Sequence, residues 1–198
     1  MTNRKDRRRR IVWAAILFEA SLLLMAQPVG WLLRVSPLSA MGIQLRAAAV
    51  GLAATVPPLG IMLILSRMPW GPFRHLMRQL DDHLLPLFRG CAPLELALIS
   101  LAAGIGEEAL FRGAIQAGVG QIFTPVVGLV TAAALFGAAH LITRTYALLA
   151  GLIGVYLGML LIVFDNLLIP MIVHATYDFV ALSYWLNSRQ SDGPPSAS

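Results

Sequence analysis

The sequence predicts an all-α fold, a polytopic membrane helix bundle of about six transmembrane helices plus an amphipathic surface helix. Three observations carry this. Of the 198 residues, 58% are hydrophobic and 13% charged, and the mean hydropathy of +0.73 is far too apolar for a soluble domain of this size. The apolar residues come in runs of about 20, the length that crosses a bilayer as a helix. One longer polar stretch between them repeats its leucines at helical spacing.

The formal net charge of +5 does not point to nucleic acid. The basic residues fall at the ends of apolar segments, where they orient a membrane chain and meet anionic headgroups, so the lipid bilayer is the expected partner. Cys91 is the single cysteine, which excludes a disulfide framework and a cysteine metal cluster. With no histidine placed to activate it, Cys91 reads as an inert residue near a membrane boundary.

Residues 1–10, MTNRKDRRRR, read as a basic cytoplasmic tail. Residues 11–65 hold two transmembrane helices, Ile11–Leu33 and about Ala47–Leu65. The first run is too long for a signal-peptide core and lacks a small-x-small cleavage site, so it reads as an uncleaved span. Glu19 in its middle has no local partner. Pro57 and Pro58 kink the second span. Residues 66–92 form an amphipathic cytoplasmic linker, with Phe73, Leu76, Leu80, Leu84 and Leu87 at helical spacing among charges. His75 and His83 in it read as solvated residues without chemistry. Residues 93–187 form a core of four further transmembrane helices: Pro93–Val119, Ile122–Ile142, Ala147–Phe164 and Leu167–Leu186. Their short connections make consecutive helices antiparallel neighbours, and Gly151, Gly154 and Gly158 read as packing positions. Residues 188–198 form a disordered tail.

Lys and Arg set the orientation. Twelve fall in the tail, the linker and at Arg144 and Arg189, against Arg34 and Arg46 on the other side, so both termini are expected in the cytoplasm.

The candidate chemistry begins at residues 104–113, GIGEEALFRG, where Glu107, Glu108 and Arg112 stand deep in an apolar run. Ionisable groups there cost several kcal/mol each unless paired. Glu108 and Arg112, four apart, share a helix face and pair; Glu107 points about 100° away and is free for chemistry. A buried packing device without catalysis is the competing reading. Two later sites weigh against it. In FGAAH, Phe136 lies one turn before His140; in HATYD, His174 and Asp178 lie four apart on one face. Together Glu107, His140, His174 and Asp178 supply a base, two imidazoles and a carboxyl group on three helices. Such a set activates water and stabilises an oxyanion. The same four are ordinary zinc ligands, and spacing alone does not choose between the two chemistries.

EEALFR, FGAAH and HATYD resemble, in order and spacing, the three motifs of the CPBP family, the CAAX prenyl-protein endopeptidases and bacteriocin-processing (Abi-like) membrane proteins. The resemblance covers about Pro93–Asn187. It implies an intramembrane glutamic protease in which Glu107 and His140 activate water, His174 with residue 178 forms the oxyanion side, and Glu108, Arg112 and Phe136 support them. CAAX-processing members carry Asn at the last position where this chain has Asp178, and an ionised aspartate donates no hydrogen bond. The implied substrate is a membrane-embedded or lipid-anchored protein or peptide, and the implied location a bacterial inner (cell) membrane. No cofactor is favoured, and zinc on the same four residues is the alternative. Ala138, Ala139, Ala175 and Thr176 offer little to fix two imidazoles around a metal. A non-catalytic immunity or partner-binding membrane protein is the second functional reading. A proton-path transporter is the third, weakened because no internal repeat is visible.

One spacing works against this site. At 1.5 Å per residue, Glu107 lies about 20 Å from the cytoplasmic end of its span and His140 within about 5 Å of the same face. Convergence therefore requires tilt, or a fourth span that continues past Arg144.

Overall fold

The computed structural model describes residues 4–68, 71–83 and 85–191. Leu84 of the expected amphipathic face and residues 192–198 of the expected disordered tail lie outside the described residues. Among the described residues every regular element is helical: α1 (Arg4–Leu32), α2 (Leu45–Ala54), α3 (Val56–Arg67), α4 (Gly71–His83), α5 (Leu85–Phe88), α6 (Pro93–Glu108), a π-helix (Ala109–Gln116), α7 (Ala117–Ile122), α8 (Pro125–Ala139), α9 (Arg144–Phe164) and α10 (Leu168–Ser191).

The bundle is apolar outside and encloses its charged groups within an apolar core. Phe18, Leu24, Trp31 and Leu45 stand bare on its surface, while Glu107, Glu108, Arg112, Gln116 and His174 are buried. That inverts the pattern of a water-soluble domain and matches one solvated by lipid. Asp6–Leu32, Leu45–Arg67 and Arg144–Phe164 are long and apolar enough to cross a membrane. The other three expected spans are also helical but differ from plain membrane helices. The run from Pro93 divides into α6, the π-helix and α7; α8 has only 15 residues; α10 has 24 and carries the polar HATYD face.

Arg and Lys are good helix formers, and α1 runs from Arg4 through the basic tail into the first apolar run. Residues 188–191 of the expected C-terminal tail extend α10. The proline pair acts as expected: the second span breaks at Thr55, between α2 and α3. Pro58 has no N–H for the carbonyl of Ala54, four residues back. That oxygen instead accepts a 2.7 Å hydrogen bond from the Tyr156 hydroxyl of α9.

At one end of the bundle Arg8 ties α1 to the start of α6, through Glu95 at 3.3 Å and the Gly90 carbonyl at 2.9 Å. Burial, ahead of the nearby Glu95, pushes the Cys91 thiol up, which suits an unreactive residue. α4 lies across this same end. Its Phe73 and Leu76 are buried, His75 is exposed, and Asp81 accepts a 2.9 Å bond from Trp185 Nε1 of α10. At the other end Asn166 brackets the backbone of Gly42, accepting from its N–H at 3.2 Å and donating to its carbonyl at 2.9 Å.

α1 and α6 approach closely because Gly106 has no side chain: a Cβ there would meet the backbone carbonyl oxygen of Glu19. Backbone does not yield as a flexible side chain does, so Gly106→Ala must push the helices apart. A destabilisation of about 1–3 kcal/mol is expected, read as a lowered melting temperature of the detergent-purified protein. An unchanged melting temperature would contradict this contact.

Candidate active site

α6 delivers Glu107 and Glu108 in its last turn, and the backbone then widens into the π-helix. Such segments are rare and concentrate at functional sites. Glu108, Arg112 and Gln116 make a polar stripe four residues apart. Arg112 Nη1 donates to Glu108 Oε1 at 2.8 Å, with both side chains fully buried. Arg112 Nη2 donates to the Gly154 carbonyl of α9, and Gln116 Nε2 to that of Gly158, each at 3.0 Å. A Cβ on Gly158 would meet Gln116 Oε1, so this glycine is bare where the polar stripe docks.

α10 brings His174 to the same carboxylate. Its Nδ1 stands 2.7 Å from Glu108 Oε1 and its Nε2 3.4 Å from Asp178 Oδ2. Both ring nitrogens face carboxylate oxygens, an arrangement that a doubly protonated ring satisfies with two N–H donors. The His174–Asp178 pair follows from sequence spacing. The Glu108–His174 bond joins two helices, and no sequence interval reports it.

Phe136 of α8 is the apolar hub. Its ring lies 4.5 Å beneath the Arg112 guanidinium, a cation–π contact. It stacks on His140 at 4.4 Å and meets His174 edge-on at 5.8 Å. His140 caps the C-terminus of α8, with Nδ1 2.8 Å from the Phe136 carbonyl. A carbonyl only accepts, so Nδ1 carries the hydrogen and Nε2 is left as an acceptor. That Nε2 faces Glu107 Oε2 at 3.8 Å, and Glu107 Oε2 is buried without a hydrogen bond.

The depth mismatch expected between Glu107 and His140 is therefore closed, though not by a longer fourth span. α8 stops at Ala139. Its 15 residues reach about 22 Å, short of the about 30 Å hydrocarbon thickness. The turn at 140–143 thus lies level with Glu107, about 20 Å along α6 from Pro93. Between this turn and α4 lies a cavity of about 470 Å³, walled by α3, α4, α9 and α10, with Phe136, His140, His174 and Asp178 on its inner side.

Glu19 of α1 also reaches this region. Its backbone abuts Gly106, its Oε2 is buried without a hydrogen bond, and its charged neighbours are Glu107, His174 and Asp178.

The expectation that nothing fixes the two imidazoles is corrected. Their immediate sequence neighbours do not hold them, but the Phe136 carbonyl and Glu108 do. The same bonds bear on a metal. With both nitrogens of His174 set against carboxylates, the ring nitrogen that remains open is His140 Nε2, facing Glu107 Oε2. Among the described residues no three His, Cys, Asp or Glu side chains are grouped to hold an ion.

Sequence reasoning missed Tyr146, whose ring meets His140 edge-on at 5.7 Å. Its signal was Thr143, the N-cap that accepts from Tyr146 N at 3.0 Å and so fixes the residue just behind the histidine.

No curated protein and no solved structure matches the chain. Residues 90–180 match the family model for Rce1-like proteins, type II CAAX prenyl endopeptidase Rce1-like. That segment holds the acidic pair, both histidines, Phe136 and Asp178 in the arrangement described above. The protein is an integral membrane protein whose residues 90–180 match the Rce1-like family of type II CAAX prenyl endopeptidases.

Proposed function

We propose that this protein is an intramembrane endopeptidase that hydrolyses a peptide bond in a membrane-embedded or lipid-anchored protein or peptide, with Glu107 and His140 activating water. The observation that carries the proposal is the facing pair of acceptors, Glu107 Oε2 and His140 Nε2, 3.8 Å apart and without a hydrogen bond between them. Two acceptors do not bond one another, but a water molecule donates one hydrogen to each. Glu107 takes the proton as the water oxygen bonds to the substrate carbonyl carbon, and the carbonyl electron pair moves onto its oxygen. The C–N bond then breaks, and the proton on Glu107 passes to the departing amine. His140 orients the water, and the His174–Asp178 pair lies on the oxyanion side. The apolar cavity admits a substrate arriving from lipid rather than from water.

The location we propose is a bacterial inner (cell) membrane with both termini cytoplasmic. The basic start of α1, the α4 segment and the end of α10 share one end of the bundle, which fits the clustering of Lys and Arg. Reporter fusions after Gln190 should be active only in the cytoplasm, and fusions within residues 35–45 only outside; the reverse pattern would overturn the orientation.

Purified protein in liposomes, given an internally quenched farnesylated peptide ending in a CaaX sequence, should release product by cutting one peptide bond, identified by mass spectrometry. An intact probe would overturn the reading. We further propose that no tightly held metal takes part. Cleavage should then survive exhaustive chelation, and elemental analysis should find no stoichiometric zinc. Activity lost to chelator and restored by Zn²⁺ would establish a metalloprotease instead.

A further inference from the structure

Peptide hydrolysis through a tetrahedral intermediate needs a hydrogen-bond donor aimed at the oxygen that becomes negative. Most donors around this site are already committed. Arg112 gives Nη1 to Glu108 and Nη2 to the Gly154 carbonyl. Its Nε is buried without a hydrogen bond, and Arg112 does not line the cavity. His174 Nδ1 is bonded to Glu108, and its Nε2 faces Asp178. His140 Nδ1 gives its hydrogen to the Phe136 carbonyl. Asp178 as a carboxylate only accepts. On the cavity wall, Trp185 Nε1 goes to Asp81 and the Tyr156 hydroxyl to the Ala54 carbonyl.

Three phenol hydroxyls remain on that wall, those of Tyr146, Tyr177 and Tyr184. Tyr184 stands ten residues beyond His174 on α10, about 15 Å along the helix, too far from the reacting carbonyl. Tyr177 precedes Asp178 on α10, whereas Tyr146 stands on α9, directly after the turn that follows His140. Tyr146 alone of the three also packs its ring on His140. Tyr146 is thus the phenol that both lines the cavity and stands against one of the two groups that hold the attacking water.

We infer that Tyr146 is a catalytic residue of this site, its hydroxyl donating to the oxyanion of the tetrahedral intermediate. The assignment rests on the endopeptidase reading and deepens it. Tyr146 supplies the neutral donor that Asp178 does not, and it does so from the first turn of α9, outside the three motifs. Its placement is secured by the Thr143 cap and by contact with His140, so the donor is preorganised rather than recruited.

The test uses the farnesylated CaaX probe in proteoliposomes, with wild type, Tyr146→Phe, Tyr177→Phe and Glu107→Gln, all matched in melting temperature. Removing one oxyanion donor lowers kcat by about 10²–10³-fold. Tyr146→Phe should show that loss with KM little changed, and should weaken binding of a farnesylated peptide aldehyde, whose hydrate mimics the tetrahedral intermediate. Tyr177→Phe should cleave like wild type. A wild-type kcat in Tyr146→Phe, or a rise in KM alone, overturns the assignment while an inactive Glu107→Gln leaves the protease reading intact. A probe left uncut by wild type, or cut normally by Glu107→Gln, overturns that reading and the role of Tyr146 with it.

Discussion

Replacing Glu108 by Ala is expected to eliminate most of the folded protein. One carboxylate oxygen of Glu108 holds both Arg112 Nη1 at 2.8 Å and His174 Nδ1 at 2.7 Å. Glu108 and Arg112 are fully enclosed. Deleting the acid leaves a guanidinium in an apolar interior without the carboxylate it is bonded to, and frees the imidazole that α10 contributes. Breaking one partner out of a buried ion pair costs about 3–5 kcal/mol, against a total stability of about 5–15 kcal/mol for a typical domain. The loss should appear as low yield of monodisperse protein and a large fall in melting temperature. Glu108→Gln keeps an acceptor oxygen but not the charge, so it should fall between Ala and wild type. A Glu108→Ala protein that melts like wild type would remove Glu108 from its structural role.

The sequence was most informative where one helix carried both partners. Glu108 with Arg112, Phe136 with His140, and His174 with Asp178 are each four residues apart, and each pair meets. The helical bundle, the break at the proline pair and the amphipathic α4 were readable for the same reason, because helical period and proline chemistry are local. Contacts between helices were not readable. No spacing announces that His174 shares an oxygen with Arg112, or that Tyr156 takes the carbonyl orphaned by Pro58. Depth is not legible in the sequence, because an apolar run need not end at a membrane face. α8 is too short for that, and its early end carries His140 to Glu107. The π-helix has no composition of its own: ALFRGAIQ reads as ordinary helix, and only the backbone shows the wider turn. Tyr146 escaped notice because it belongs to no acidic or histidine motif and acquires its place from the fold.

The division between the two adjacent glutamates is the centre of this account. Glu108 Oε1 holds both Arg112 and His174, whereas neither of them is bonded to Glu107, whose Oε2 stands 3.8 Å from His140 Nε2. Glu107→Gln is nearly isosteric and leaves the Glu108–Arg112–His174 cluster untouched, so folding should be spared. An amide has no basicity to take the proton from water, so the contribution of the base, commonly about 10²–10⁴-fold, is lost. The direct measurement is single-turnover cleavage of the farnesylated CaaX peptide by equal amounts of folded wild-type and Glu107→Gln protein in the same liposomes. Matching melting temperatures are expected, with a cleavage rate at least about 100-fold lower in the variant. A Glu107→Gln protein that folds normally and cleaves at the wild-type rate would contradict it.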